Sequence, residues 1–186
     1  MKSPTTAGVP PAKLALPVAH RDHIQGPLDA PVTLMEYGDF ECPYCGQAYP
    51  VLKAIQRKLG DRLCFVFRNF PLANMHPHAE RAAEAAEAAG AQGKYWEMHD
   101  LLFENQQALG DDDLAQDAAS LGLDAKRLIT EVLSGAHAAR VREDFRAGVR
   151  AGVNGTPTLF INGERYDGES DLESLLAELS THLVAR

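Results

Sequence analysis

The sequence predicts an α/β protein in which a block of helices separates two groups of strands. Three observations favour this fold class. A strand, a helix and a second strand follow one another within residues 32–67, helical patterns fill residues 72–150, and strand patterns return after residue 157. This order is typical of an α/β layer interrupted by an all-helical insertion.

The first group of elements is expected to form a βαβ unit. Residues 31–37 make a short apolar strand that Gly38 follows. Apolar side chains recur at helical spacing over residues 43–59, and Gly60 ends that helix. Residues 63–67 are apolar throughout, which is typical of a strand covered on both faces.

The inserted segment is expected to consist of helices. The Ala/Glu-rich residues 79–91 predict a helix with Glu80, Glu84 and Glu87 on its solvated face. Further helical patterns lie at residues 95–102, 114–121, 124–133 and 141–149. Five aromatic and branched side chains of this segment are expected in the core, namely Tyr95, Trp96, Val141, Phe145 and Val149.

The last part of the chain returns to strands and ends in a helix. Residues 158–161 predict a strand, residues 162–163 (Asn-Gly) a hairpin turn, and residues 165–166 a short second strand. Asp171 is expected to cap a final leucine-rich helix. The chain is thereby divided into a flexible N-terminal arm (1–17), an α/β domain in two parts (18–71 and 151–186) and an inserted helical domain (72–150).

Composition excludes several classes of protein. The 186 residues include 18 Lys and Arg against 26 Asp and Glu, a net charge of −8. Such an acidic chain is a poor candidate for binding nucleic acid or an anionic membrane surface. No apolar run reaches the roughly 20 residues that a membrane span needs. No secretory leader is visible, so we expect a cytoplasmic location, or a periplasmic one if the chain is a trimmed mature form.

Between the first strand and the first helix lies a Cys-Pro-Tyr-Cys motif at residues 42–45. Pro43 suits the first turn of a helix, which places Cys42 at the helix N-terminus, where free N–H groups and the helix dipole stabilise a thiolate. Cys45 follows almost one turn later, within reach of a small disulfide ring. We therefore expect thiol–disulfide exchange, with Cys42 as the exposed, attacking thiol and Cys45 as the more buried, resolving one.

The alternative is that the two cysteines are half of a zinc site. The other ligands would then be Cys64, His76 and His78. Cys64 lies inside an apolar strand, where a free cysteine behaves as a small hydrophobe, so a site without metal is favoured.

A second motif supports the redox interpretation. Thr156-Pro157 stands directly before a predicted strand, 112 positions after Cys45. Together the two motifs resemble the reactive turn and the cis-proline loop of the thioredoxin superfamily. Thioredoxins and glutaredoxins have a much shorter segment between them, whereas DsbA-like proteins carry a helical insertion there. The sequence is most similar to short DsbA-like domains that read Tyr-Gly-Asp-Phe-Glu-Cys-Pro-Tyr-Cys, here residues 37–45, and such domains also occur fused behind sodium/proton antiporters.

The resemblance implies a thioredoxin-like fold and an enzyme that needs no external cofactor. It implies that Thr156 and Pro157 shape the site for a substrate chain, with Phe40 as a further substrate contact. It also implies that Glu36 is a buried acid that helps proton transfer at the second cysteine. The strand pattern leaves open whether Glu36 instead faces outward.

Tyr44 of the motif and the acidic residues beside it predict a weaker oxidant. Tyr44 replaces the histidine that is implied to stabilise the thiolate in the strongest oxidants of this branch. Asp39 and Glu41 are expected to raise a nearby thiol pKa by like-charge repulsion.

The expected partners are protein or peptide thiols and disulfides, and the chain is expected to be a monomer without a membrane-inserted part. Two alternatives stay open. Because glutaredoxins share the Cys-Pro-Tyr-Cys letters, one is a glutathione-dependent reductase. The other is a non-enzymatic redox-sensing or partner-binding domain. In a cytoplasmic setting the reducing thiol pool would favour reduction or isomerisation over oxidation.

Overall fold

The structure is a computed structural model that describes residues 13–184, apart from the side chain of Val184. A five-stranded sheet is combined with seven α-helices in this part of the chain. The strands are β1 (His23–Gln25), β2 (Val32–Gly38), β3 (Leu63–Asn69), β4 (Thr158–Ile161) and β5 (Glu164–Tyr166). The helices are α1 (Pro43–Leu59), α2 (Ala79–Gly90), α3 (Tyr95–Glu104), α4 (Asp111–Ser120), α5 (Ala125–Ser134), α6 (Ala138–Arg150) and α7 (Leu172–Val184), with a 3-10 turn at Gly60–Arg62.

The strand order in the sheet is β1-β3-β2-β4-β5. Strands β2 and β3 are parallel and are joined by α1, which confirms the predicted βαβ unit. Strands β1, β4 and β5 are antiparallel to their neighbours. Strand β1 was not predicted, because three half-buried residues carry too little periodicity to indicate a strand. The central position of β2 directs its carboxyl end, and the residues after it, to the middle of the fold.

Five helices, α2 to α6, lie between β3 and β4, as the predicted insertion requires. They do not form a separate core in this structure. Buried side chains of α2 and α3 share one hydrophobic cluster with α1, α7 and one face of the sheet. A smaller cluster covers the other sheet face, where Phe145 of α6 packs with Cys64, Tyr37 and Phe160. Cys64 is therefore a buried strand residue, as expected.

The predicted solvated face of α2 is wrong for two of its three glutamates. Glu84 and Glu87 are buried, whereas Glu80 is exposed. Glu87 accepts a hydrogen bond from the Asn69 side chain at 2.8 Å and lies 2.9 Å from the His23 ring nitrogen. Because these polar groups bond to it, the Glu87 carboxylate can be buried among the alanine side chains of α2.

The aromatic core predicted for the insertion is only partly confirmed. Tyr95 is buried, and Trp96 and Phe145 pack against the core while partly exposed. Val141 is also buried. Val149 is more than half exposed, so its place in the core was predicted wrongly. It lies in the last turn of α6, near the helix end.

Most of the predicted flexible arm, residues 1–12, lies outside the described residues. Residues 13–17, by contrast, contact the body of the protein. The buried guanidinium of Arg68 donates to the carbonyl oxygens of Leu16 at 2.9 Å and Pro17 at 3.1 Å. The same group pairs with buried Asp22 at 2.8 Å. Within residues 13–184, none of the helices is long and apolar enough to cross a membrane.

Candidate active site

Cys42 occupies the N-cap position of α1. Strand β2 ends at Gly38, and the four residues that follow form a tight turn in which the Cys42 N–H donates to the Asp39 carbonyl at 3.1 Å. Pro43 takes the first helical position, where no N–H is needed. The sequence prediction for this turn is confirmed. Cys42 is less exposed than expected, however, because only 3% of its surface is accessible.

Hydrogen bonding to the Cys42 sulfur lowers its pKa to about 5. The largest effect is a hydrogen bond from the Cys45 thiol, against which burial acts in the opposite direction. The Thr156 side chain and the backbone N–H groups of Cys45 and Tyr44 lower the pKa further. Backbone donors at a helix N-terminus are well suited to hold a thiolate.

Cys45 has the opposite character. Its side chain is fully buried, and burial raises its pKa well above the usual range for a thiol. Its hydrogen bond to Cys42 and the nearby charges of Glu36 and Cys42 act in the same direction. The two thiols therefore differ widely in pKa although they lie one helical turn apart.

Glu36 lies beneath this pair, on β2. Its side chain is buried, which excludes the outward-facing orientation that the strand pattern left open. The pKa of its carboxyl is raised to about 8, chiefly by burial and then by the Cys42 charge, while a hydrogen bond with Cys45 opposes them. At neutral pH the carboxyl is mostly protonated, next to the thiol with the higher pKa.

The loop before β4 closes the other side of the site. The Thr156–Pro157 peptide bond is cis, as the resemblance implied. The Cys42 sulfur lies 3.4 Å from the Thr156 carbonyl oxygen. A surface cleft of about 430 Å³ runs along this loop and is lined by Tyr44, Thr156, Pro157, Gln47, Ala48 and residues 169–171. Tyr44 is 66% exposed there.

Phe40 does not line this cleft. Its side chain is only 1% exposed and packs on Phe67 and Phe103, with ring centroids 5.1 and 4.9 Å away. The predicted substrate contact of Phe40 is therefore wrong, since an aromatic side chain in the core cannot meet a substrate. It anchors the turn from below instead.

Gln106, between α3 and α4, is a site residue that the sequence did not indicate. Its side-chain amide donates to the carbonyl oxygens of Phe40 at 2.8 Å and Cys42 at 2.9 Å. This approach needs a glycine at position 46, because a Cβ on Gly46 would lie 2.1 Å from the Gln106 side-chain oxygen. No motif or periodicity marks either residue in the sequence.

Asp39 connects the turn to the loop after β3. Its carboxylate accepts from the N–H groups of Glu41 at 2.9 Å and Leu72 at 2.8 Å, and lies 2.8 Å from the His76 ring. Glu41 in turn accepts from the backbone N–H of His78 at 2.6 Å. The expected repulsion by Asp39 and Glu41 does not decide the Cys42 pKa, which is lowered because its hydrogen bonds outweigh the opposing effects.

The residues of the zinc alternative do not assemble. Cys64 packs on the sheet face opposite to Cys42 and Cys45. Over residues 13–184, no group of three or more His, Cys, Asp or Glu side chains is arranged to hold a metal ion.

A dithiol at the start of a helix, opposed by a cis-proline loop on a central sheet, defines the class of proteins with a thioredoxin fold. Within this class the chain belongs to the thioredoxin family, because the family model Thioredoxin_4, described as thioredoxin, matches residues 19–180.

Solved structures agree on the DsbA-like form of the fold. BdbD of Bacillus subtilis, in its oxidised form, superposes with a TM-score of 0.80 at 24% identity and covers 88% of this chain and 94% of its own. The catalytic domain of Proteus mirabilis ScsC gives 0.76 at 19% identity, with 91% and 93% covered. The thiol-disulfide exchange protein α-DsbA2 of Wolbachia pipientis gives 0.74 at 18% identity, with 87% of each chain covered. These likenesses confirm the predicted fold class.

Curated relatives are more similar in sequence but much longer. The Na(+)/H(+) antiporter NhaA 1 of Salinispora arenicola is 46% identical over 161 residues, which cover 87% of this chain and 24% of the antiporter. The antiporter NhaA of Herminiimonas arsenicoxydans is 42% identical over 158 residues, or 85% and 25%. The chain thus spans about a quarter of the length of these relatives.

Proposed function

We propose that the chain is a thiol–disulfide oxidoreductase that exchanges its Cys42–Cys45 pair with protein or peptide thiols and disulfides. One observation carries the proposal. Two thiols one turn apart have pKa values moved in opposite directions, and the lower one lies against a cis-proline loop. Such a difference separates an attacking and leaving thiolate from a resolving thiol.

The reaction runs in two exchanges. A substrate thiolate attacks the Cys42 sulfur of the disulfide, the Cys42–Cys45 bond breaks, and Cys45 leaves and takes up a proton. A second substrate thiolate then attacks the substrate sulfur of the mixed disulfide, and Cys42 leaves as a thiolate. Two electrons pass to the protein, which ends as a dithiol, while the substrate gains one disulfide. The reverse sequence reduces a substrate.

Glu36 would accept and return the proton that Cys45 exchanges. Its carboxyl hydrogen-bonds to this thiol, and its pKa of about 8 lies near neutrality, which suits a group that gives and takes a proton. Because the Cys45 pKa is raised, this thiol needs a proton acceptor before it attacks and a donor after it leaves.

The Cys42 pKa favours the oxidising direction. A thiolate that is stable at pH 7 stabilises the reduced form of the pair, which makes the disulfide a stronger oxidant. A stable thiolate contradicts the expectation, based on Tyr44, that the protein is a weak oxidant. A cytoplasmic location would favour reduction instead, but none of the comparisons supports that location. A potential nearer to about −120 mV than to −270 mV would support the oxidising direction.

The surroundings of Cys42 support a polypeptide as the substrate. A cleft lies beside Tyr44 and Pro157, and the Thr156 carbonyl that borders it is a backbone acceptor. Neither the glutathione-dependent alternative nor the non-enzymatic one is favoured by any comparison.

Single-cysteine variants test the proposal. With a peptide dithiol or disulfide as substrate, Cys42→Ser should abolish turnover, and Cys45→Ser should stop at a mixed disulfide that mass spectrometry detects. Cys64→Ala, on the opposite sheet face, is the matched control and should retain activity. Undiminished turnover by Cys42→Ser would refute the enzymatic function. Trapping glutathione rather than the peptide on Cys45→Ser would favour the glutathione alternative.

A further inference from the structure

We propose that His76 is a positioning residue of the active site, which fixes the loop after β3 to the Cys42 turn through Asp39 and brings an imidazolium charge within electrostatic range of the Cys42 sulfur. This inference rests on the proposed function and assigns a role to a residue outside both sequence motifs.

The geometry starts from Asp39, whose side chain is fully buried. Its carboxylate lies 2.8 Å from His76 Nδ1, and its backbone carbonyl accepts the Cys42 N–H at 3.1 Å. One residue therefore contacts both the histidine ring and the reactive cysteine. The same carboxylate oxygen accepts the Leu72 N–H at 2.8 Å, which places the whole loop against the turn.

A buried carboxylate in this position favours a charged ring. The His76 side chain is 14% exposed, so its ion pair is partly shielded from solvent. Burial alone would lower the His76 pKa, but the hydrogen bond and charge of Asp39, followed by the charges of Cys42 and Glu41, raise it. The coupling to Cys42 is reciprocal, because a thiolate that favours the imidazolium is itself favoured by it.

This charge compensates for a feature of the motif. Tyr44 is neutral where the strongest oxidants of the branch are implied to carry a histidine, and the turn holds the acidic side chains of Asp39 and Glu41. A histidine supplied from the neighbouring loop gives the Cys42 thiolate a cationic neighbour that the Cys-Pro-Tyr-Cys letters lack.

Two substitutions separate charge from shape. His76→Gln keeps a donor for Asp39 but removes the charge, whereas His76→Lys keeps the charge. The Cys42 pKa is read from thiolate absorbance at 240 nm between pH 3 and 8, with the oxidised protein as the background. We expect His76→Gln to raise the Cys42 pKa and to shift the equilibrium with glutathione toward the protein disulfide, tenfold for each unit by which this pKa rises. His76→Lys should lie close to the wild type, and exposed His78→Gln is the matched control.

An unchanged Cys42 pKa in His76→Gln, or equal increases in the Gln and Lys variants, would overturn the proposal. A measurement on the wild-type protein guards against variants that fail to fold. In NMR titrations the His76 pKa should be higher in the reduced than in the oxidised protein, since oxidation removes the thiolate. Equal His76 values in both states would also overturn it. These readouts do not depend on turnover, so their failure is distinct from a loss of the proposed activity.

Discussion

Gln106 donates its side-chain amide to the carbonyl oxygen of Cys42 at 2.9 Å, and thereby connects the inserted helices to the reactive turn. The insertion thus forms part of the candidate active site. Its second bond, to the Phe40 carbonyl, holds the turn at both ends.

Removal of this contact should loosen the turn. We expect Gln106→Ala to lower the free energy of unfolding by about 1–2 kcal/mol, because two part-buried carbonyl groups lose their donor. Urea unfolding measures the change, and the exposed neighbour Gln107→Ala is the control. Equal stability of the two variants would contradict the role assigned to Gln106.

A side chain at position 46 is expected to destabilise the protein. Gly46→Ala places a methyl group on the Gln106 amide and should displace it, with a loss of stability similar to that of Gln106→Ala. The double variant tests the mechanism. If the two losses simply add, Gly46 acts independently of Gln106, and the prediction is wrong.

Glu36 should make the stability of the reduced protein depend on pH. Its folded-state pKa of about 8 lies above the ordinary carboxyl value of 4.5, so between these values the unfolded chain releases a proton that the folded protein keeps. Stability therefore falls as pH rises through this range. Glu36→Gln lacks the effect, and its stability relative to the wild type should increase by up to about 5 kcal/mol from pH 4.5 to 8. Denaturant unfolding along a pH series measures it, with exposed Glu80→Gln as the control. A constant difference would contradict the assigned environment.

Cys42 should react with alkylating reagents at unusually low pH. Its pKa of about 5 predicts that the rate of modification by iodoacetamide reaches half its maximum near pH 5. Buried Cys45 and Cys64, both with raised pKa values, should stay unmodified below pH 8. Peptide mapping of the labelled protein identifies the site. A midpoint near the ordinary thiol pKa of about 8.5 would refute the predicted thiolate.

The Arg68–Asp22 pair should carry much of the attachment of residues 13–22. Arg68→Met removes the guanidinium that pairs with the buried Asp22 carboxylate, and we expect a loss of about 3–5 kcal/mol. Because the Asp22 pKa is lowered in the folded protein despite its burial, the wild type should lose this contribution as the pH falls through that folded value. Thermal unfolding measures both effects, and exposed Arg57→Met is the control. A small loss, comparable to that of the control, would show that the pair is dispensable.

The sequence predicted the parts of the fold and site that local patterns encode. Pro43 at a helix start, the helical spacing over residues 43–59 and the proline before β4 depend on neighbours in the chain. The reactive turn and the cis-proline loop were located from these signals. The distance between them along the chain was enough to indicate the insertion.

Contacts between distant segments were not predictable in this way. Gln106 and His76 reach the Cys42 turn from loops 64 and 34 positions further along the chain, and a lone polar residue in a loop carries no periodic signal. Glu87 was misplaced for the same reason, because its partners Asn69 and His23 come from other elements. The prediction for Phe40 was wrong because a residue beside the motif in the chain can still be buried in the core.

The shielding of the Cys42 sulfur limits which substrates can reach it. The thiol is almost completely covered, with the Thr156 carbonyl against it and the cleft beside Pro157 next to it. A substrate cysteine can reach this sulfur most easily when it lies in a flexible segment. A cysteine in the rigid surface of a folded domain cannot adapt to the site in this way. If the chain has the proposed function, cysteines in unfolded polypeptides should therefore react with it faster than cysteines held in folded surfaces.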